Sequence, residues 1–222
     1  MSVTSEDSPS NRLFESKPLA PWRSPLSKAL HRNRSQPFAR YFQLATVRAD
    51  GTPANRTVVF RGFLNQTNHL MMISDRRSQK TEQIHQRPNA EACWYFTKTR
   101  EQFRLSGRLA LVTADEANSQ LSQARTQLWQ NISDNARLQF AWPQPKAPRD
   151  LDNDEDAFSP PPPNDQTPLE TFCLLLLTPH SVDYLSLRGE PQTRKIYQKE
   201  AGQATPNGLE ESSGWKVTAV NP

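Results

Sequence analysis

A chain of 222 residues is long enough for one well-buried domain and short of two comfortable ones. Nineteen prolines against seven glycines call for stretches without regular structure, and a formal net charge of +4 fits a protein that handles anions without by itself indicating nucleic acid. Two cysteines, Cys93 and Cys173, lie in apolar runs with no CxxC partner, and four histidines are dispersed, so neither a disulfide framework nor a metal site is expected.

Residues 1–19 are polar and Ser-rich and read as a flexible tail. They lack the apolar stretch of a signal peptide, and Glu6 and Asp7 argue against a transit peptide. The longest apolar run, Phe172 to Leu177, is too short to span a bilayer and reads as a buried strand. With two reduced cysteines, these features place the protein in the cytoplasm, with no membrane partner.

The chain from 20 to 222 reads as a single domain. A first helix starts at Ser24-Pro25, buries Leu26, Ala29 and Leu30, and ends by Pro37, with Trp22 docking its start. Strands follow over Tyr41–Val47, Asn55–Phe63 and His69–Ser74, the first two joined by a turn at Asp50-Gly51. A helix is predicted over Arg76–Gln86, before Pro88, then two strands over Glu91–Thr97 and Gln102–Val112. Two helical pieces come next, Asp115–Leu128 and Ser133–Phe140. The stretch from about 143 to 168 mixes prolines, including Pro160 to Pro163, with Asp150, Asp152, Asp154, Glu155 and Asp156. Such a composition buries little apolar surface and reads as a flexible insertion. Strands over Thr171–Thr178, Ser181–Leu187 and Gly214–Val220 close the chain. Strands at this spacing, without regular β-α-β alternation, predict a mainly β fold: an antiparallel barrel with peripheral helices.

Two segments carry chemistry. In Arg56-Thr57-Val58-Val59-Phe60-Arg61, a strand would send Arg56, Val58 and Phe60 to one face and Thr57, Val59 and Arg61 to the other. An arginine can grip a phosphate bidentately, and valine backbone can meet the edge of a heterocycle; an edge strand with two solvated arginines is the plainer alternative. In Ser74-Asp75-Arg76-Arg77-Ser78-Gln79-Lys80, hydroxyls and a lysine gather at the start of a helix, whose free N–H groups and positive end favour an anion. A capped helix with a basic solvent face remains the alternative there. Neither GxxxxGK[ST] nor GxGxxG occurs, so P-loop and dinucleotide-fold readings have little support. Gln102, at the head of its strand, can both donate and accept hydrogen bonds.

Taken together, Tyr41-Phe-Gln-Leu-Ala-Thr-Val47, Gly51-x-Pro53, Arg56 to Phe63, Ser74-Asp-x-Arg-Ser-x-Lys80, Trp94-Tyr-Phe96, Glu101 to Gly107 and Gly214 to Pro222 resemble the FMN-binding split barrel of the pyridoxamine 5'-phosphate oxidases, most of all the oxidase-like branch common in cyanobacteria. The likeness covers most of residues 20–142 and 171–222. It implies that Arg56 opens the flavin strand with Thr57, and that Val58 and Val59 meet the ring through their backbone. Ile73 and Ser74 would line the flavin, and Ser78, Gln79 and Lys80 would hold its phosphate. Lys80 matches a phosphate-holding lysine, while Gln79 stands where many members carry arginine. Gln102 and Arg194 match a glutamine and a late arginine of the flavin site, and Leu185 takes the position of a family tryptophan. On the substrate side Arg61 matches a lysine, but the family's Arg-x-His has no match between Leu187 and Arg194. The Tyr and Arg of its middle helix are likewise unmatched among Gln120 to Trp129.

The resemblance implies a homodimer with FMN at the interface. It implies a small-molecule substrate, pyridoxamine or pyridoxine 5'-phosphate, oxidised to pyridoxal 5'-phosphate with O2 as acceptor. No nucleic-acid partner is expected, and no side chain is singled out as an obligate catalytic base. A reductase of another small molecule on the same fold, or a non-catalytic flavin- or haem-binding module, stands as the alternative.

Overall fold

The computed structural model describes residues 18–149, 156–200 and 214–222. In chain order the elements are α1 (Arg23–Arg32), β1 (Tyr41–Val47), β2 (Pro53–Val59), β3 (Gly62–Phe63), β4 (Leu70–Asp75), α2 (Gln79–Gln86), β5 (Asn89–Phe96), β6 (Glu101–Val112), α3 (Ser119–Gln130), α4 (Asp134–Leu138), β7 (Phe172–Ser186), β8 (Thr193–Lys199) and β9 (Trp215–Val220). The strands run in the order β2-β1-β5-β6-β7-β4-β3, with β8 added to β7 and β9 to β8. Every pairing is antiparallel. The architecture is the mainly antiparallel split barrel with peripheral helices that the sequence predicts.

Two faces of one strand explain the apolar run from Phe172 to Leu177. On β7, Leu175 and Leu177 enter the barrel interior with Phe42, Leu44, Met72, Trp94, Phe103 and Leu105. Phe172, Leu174 and Leu176 point the other way, against Leu121, Leu128 and Trp129 of α3. A strand buried on both faces needs a continuous hydrophobic run rather than alternation. Each of these fully buried side chains contributes about 1.5–3 kcal/mol relative to exposure. The barrel interior is strongly aromatic: Trp94 stacks on Phe96 at 5.2 Å and meets Phe60 edge-on at 5.1 Å. Its indole N–H donates to Ala39 O at 3.0 Å, which satisfies its one buried polar atom.

Several predicted boundaries shift, each for a physical reason. The strand expected over 55–63 is two. Phe60 N still bonds Arg40 O at 2.8 Å beside β1, but Arg61 N bonds Met71 O at 2.8 Å, so the chain changes partners there. Gly62, at φ +124°, makes the bend. The strands expected over 171–178 and 181–187 are instead one. Pro179 falls where the β6–β7 register slips at Ser106/Gly107, so its missing N–H costs the ladder nothing. Gly107 is required at that point: a Cβ on it would lie 2.3 Å from Thr178 O. Helix α2 begins at Gln79 rather than Arg76, because Asp75 first builds a turn, accepting from Arg77 N at 2.7 Å through its side chain and from Ser78 N at 3.1 Å through its carbonyl. Helix α3 starts at Ser119, where Asn118 Oδ1 caps Gln120 N and Leu121 N at 3.0 Å. Strand β8 has no predicted counterpart. The tail expected over 1–19 lies outside the described residues as far as Lys17, as do residues 150–155 of the expected insertion.

Candidate cofactor site

A cavity of about 710 Å3 opens between β2, β4 and the start of α2 on one side and the end of α4 with the stretch that follows it on the other. Eight residues singled out in the sequence line it together: Arg56, Thr57, Val58, Val59, Arg61, Ile73, Ser74 and Lys80. Arg56 to Val59 come from β2 and Arg61 from just beyond it, Ile73 and Ser74 from β4, and Lys80 from the first turn of α2. Val58 is buried, Val59 is half-buried and Thr57 is exposed at the rim.

Lys80 is the electrostatic centre of the site. Its ammonium donates to Ser74 Oγ at 2.9 Å and to Ser78 Oγ at 3.1 Å. Ser78, the N-cap of α2, makes no capping hydrogen bond with its side chain and faces Lys80 instead. Burial, and then the positive charge of Arg56, push the Lys80 pKa down to about 8. Arg56 is itself lowered, by burial first and then by Arg48. Its Nη1 donates to Leu44 O at 3.0 Å, Thr46 Oγ1 at 2.7 Å and Ala54 O at 3.0 Å, and Nη2 donates to Gln83 Oε1 at 3.1 Å. The guanidinium thus acts on the cavity chiefly as a fixed positive charge behind Lys80.

The carboxylate of the same turn, Asp75, also lines the cavity and draws the Lys80 pKa upward, but burial and Arg56 outweigh it. Asp75 is clamped by Arg77, which donates Nε to Oδ1 at 3.0 Å and Nη2 to Oδ2 at 2.7 Å. Two recessed cations, two hydroxyls and a helix N-terminus therefore share one end of the cavity. That donor set fits a phosphate dianion, which would relieve the unfavourable burial of Lys80. Val58, Val59 and Ile73 beside it provide an apolar wall suited to a flat ring. The residues present fit FMN. Arg61 also lines the cavity: burial lowers its pKa, and its buried Nε meets no acceptor. Tyr41 opposes that shift and Arg40 adds to it.

The far wall was not foreseen from sequence. It comprises Ala136 of α4, Gln139 and Phe140 just after it, then Trp142 to Arg149, and Phe158. Arg77 fastens this wall to the cofactor side by donating to Trp142 O at 2.8 Å and Phe140 O at 3.3 Å. Thr171 Oγ1 donates to Phe140 O at 2.8 Å as well. The Trp142 and Phe158 rings meet edge-on at 5.7 Å, and the Arg149 guanidinium lies 4.6 Å above Phe158. The aromatic pair in an otherwise Pro-rich, acidic stretch is the one signal that could have marked it.

Ser78 and Gln79 sit at the edge of the cavity, Ser78 against Lys80 and Gln79 against Lys146. Gln102 and Arg194 do not reach this cavity. They lie on one rung of the sheet, with Leu185 paired to both. Asp183 pins Arg194 there, accepting its Nε at 3.0 Å and its Nη2 at 2.7 Å, and also binds Arg104. Among the described residues no helix is long and apolar enough to cross a membrane.

Comparison with known proteins agrees with this geometry. A family model described as pyridoxamine 5'-phosphate oxidase, FMN-binding domain, matches residues 19–113. The pyridoxine/pyridoxamine 5'-phosphate oxidase 2 of Arabidopsis thaliana is 37% identical over 204 residues, covering 92% of this chain and 98% of that protein. The crystal structure of a pyridoxamine 5'-phosphate oxidase-related, FMN binding protein from Nostoc punctiforme superposes with a TM-score of 0.82 at 51% identity, over 93% of this chain and 100% of that one. At fold level alone, PhzG from Burkholderia lata, solved with tetrahydrophenazine-1-carboxylic acid, matches with a TM-score of 0.70 at 16% identity, over 100% of this chain and 98% of that one. With a relative matched along nearly its entire length, the chain belongs to the pyridoxamine 5'-phosphate oxidase-like family of FMN-binding split barrels.

Proposed function

We propose that this protein is an FMN-dependent oxidoreductase that oxidises pyridoxamine or pyridoxine 5'-phosphate to pyridoxal 5'-phosphate, with O2 as acceptor. The observation that carries this reading is the recessed Lys80 ammonium held by Ser74 and Ser78 beside Arg56, at the end of a cavity with an aliphatic wall. Bound FMN would supply the two-electron chemistry: the carbon that bears the amine or alcohol would lose a hydride equivalent, dioxygen would leave as hydrogen peroxide, and for the amine, water would release ammonia from the resulting imine. Lys80, Ser74, Ser78 and the start of α2 would hold the phosphate, and Val58, Val59 and Ile73 would line the ring. The match to the Arabidopsis oxidase supports the choice of substrate. Arg61, desolvated and lining the cavity, is the side chain best suited to the substrate's anionic group.

One domain over residues 20–222 carries the site, with the stretch at about 143–168 inserted into it. The protein acts as a homodimer, in which the rung of Gln102, Leu185 and Arg194 completes the partner's flavin site. Two observations support the dimer: these residues lie away from their own chain's cavity, and Tyr95, Val217 and Val220 nearby are exposed. Two free cysteines suit a cytoplasmic protein.

The test is direct. Purified protein should show the absorbance of bound flavin and convert pyridoxamine 5'-phosphate to pyridoxal 5'-phosphate with stoichiometric consumption of O2. A flavin-loaded protein that makes no pyridoxal phosphate would overturn the substrate. A protein that takes up no FMN would overturn the whole reading.

A further inference from the structure

Gln79 opens α2 one residue before Lys80, and its amide oxygen accepts a hydrogen bond from Lys146 Nζ at 2.7 Å. Lys146 belongs to the stretch after α4, 66 positions away from Lys80 in sequence, yet both line the same cavity. Its backbone stands at φ +66°, a left-handed conformation that L residues other than Asn and Asp seldom adopt. Glycine would take that backbone without strain, so the turn itself does not ask for a lysine. What the lysine side chain adds is a positive charge, delivered to the first turn of α2, where the helix end and Lys80 already favour an anion. Its partner there is neutral. The Gln79 amide orients the ammonium without cancelling its charge, and the nearby Asp75 carboxylate is occupied by Arg77.

We propose that Lys146 is a phosphate-binding residue of the site, brought in by the far wall and aimed by Gln79, so that the ligand's phosphate monoester is shared by Lys80 and Lys146. The inference rests on the flavin reading given above. It makes the stretch after α4 part of the cofactor site rather than a cover over it. It also makes the wall responsive to the cofactor, since the phosphate ties Lys146 to α2 as Arg77 already ties Trp142.

Riboflavin, which is FMN without its phosphate, isolates this contribution. Apoprotein is titrated with each flavin, following the quenching of flavin fluorescence, for the wild type and for Lys146→Gly, Lys146→Ala and Lys146→Arg. The glycine variant suits the φ +66° backbone and guards against a folding defect. FMN affinity should fall about tenfold in Lys146→Gly and Lys146→Ala, the scale of one charge-assisted hydrogen bond, while riboflavin affinity stays within about twofold. Lys146→Arg should keep the wild-type preference for FMN. If both neutral variants keep the full preference of the wild type, the proposal is overturned while the flavin reading stands. If the wild type binds neither flavin, the flavin reading falls and this proposal with it.

Discussion

Arg77 donates a hydrogen bond to the carbonyl of Trp142 at 2.8 Å, joining the turn that presents Lys80 to the opposite wall of the cavity. The motif Ser74 to Lys80 therefore has two faces. Ser74, Asp75 and Lys80 line the cavity, with Ser78 against Lys80, while Arg77 and Gln79 hold the opposite wall in place. Arg77→Ala removes the anchor and strips the Asp75 carboxylate, whose side chain is only 13% exposed, of its cation. The variant should lose about 1–3 kcal/mol of stability in urea denaturation, the cost of a charged hydrogen bond and its stranded partner. It should also bind FMN more weakly than the wild type, although Arg77 does not line the cavity. Wild-type stability in Arg77→Ala would show that the wall holds without this link.

Gly107 is a purely structural case. Its Cα faces the Thr178 carbonyl so closely that a methyl group would lie 2.3 Å from the oxygen and 2.9 Å from Pro179 Cα. Both are backbone atoms of β7, which is buried between two cores and cannot easily yield. Gly107→Ala should cost about 1–3 kcal/mol, as overpacking does, and appear as a lowered Tm with FMN affinity per folded molecule unchanged. A Tm equal to the wild type would mean that the β6–β7 bulge is softer than its geometry implies.

Strand β1 was legible to the residue, because Phe42, Leu44 and Thr46 alternate with outward-facing neighbours. The eight lining residues from β2, β4, α2 and the β2–β3 link were legible because their order matches a known motif. Strand β8 was not: of Thr193 to Lys199 only Tyr197 is buried, so no apolar alternation marks it. Pro179 misled in the opposite direction, since a proline usually ends a strand, and only the slipped β6 register lets β7 continue through it. The far wall was illegible for a third reason. It is held by backbone carbonyls and single side chains, contacts that leave no periodic trace in a Pro-rich sequence.

Arg61 separates substrate from cofactor. Phe60 and Arg61 lie where the chain passes from β1 to β4, which turns Arg61 into the cavity without a place on either strand. Arg61→Ala should leave FMN affinity within about twofold and lower kcat/KM for pyridoxamine 5'-phosphate by about 10–100-fold, the range of one charged hydrogen bond to an anion. Steady-state kinetics on flavin-saturated protein would check it. A large loss of FMN affinity would instead move Arg61 to the cofactor.

Lys80 gives the site a pH dependence whose sign follows from its pKa of about 8, lowered by burial and by Arg56. The unfolded chain holds that proton up to about 10.4, so between these values it binds more protons than the folded apoprotein. Stability of the apoprotein therefore rises with pH across that window, as the penalty for burying the charge is lifted. Cofactor binding responds in the opposite sense. A phosphate dianion prefers the charged ammonium, so above pH 8 binding must recruit a proton, and FMN affinity should fall by up to about tenfold per pH unit. Below that the affinity should level off until the phosphate itself protonates near pH 6. Lys80→Met should weaken FMN binding by about 1–3 kcal/mol and abolish the decline above pH 8. Riboflavin, with no phosphate, should show neither effect. Titrations of both flavins across this range, in wild type and variant, would assign the proton to Lys80; an unchanged alkaline decline in Lys80→Met would assign it elsewhere.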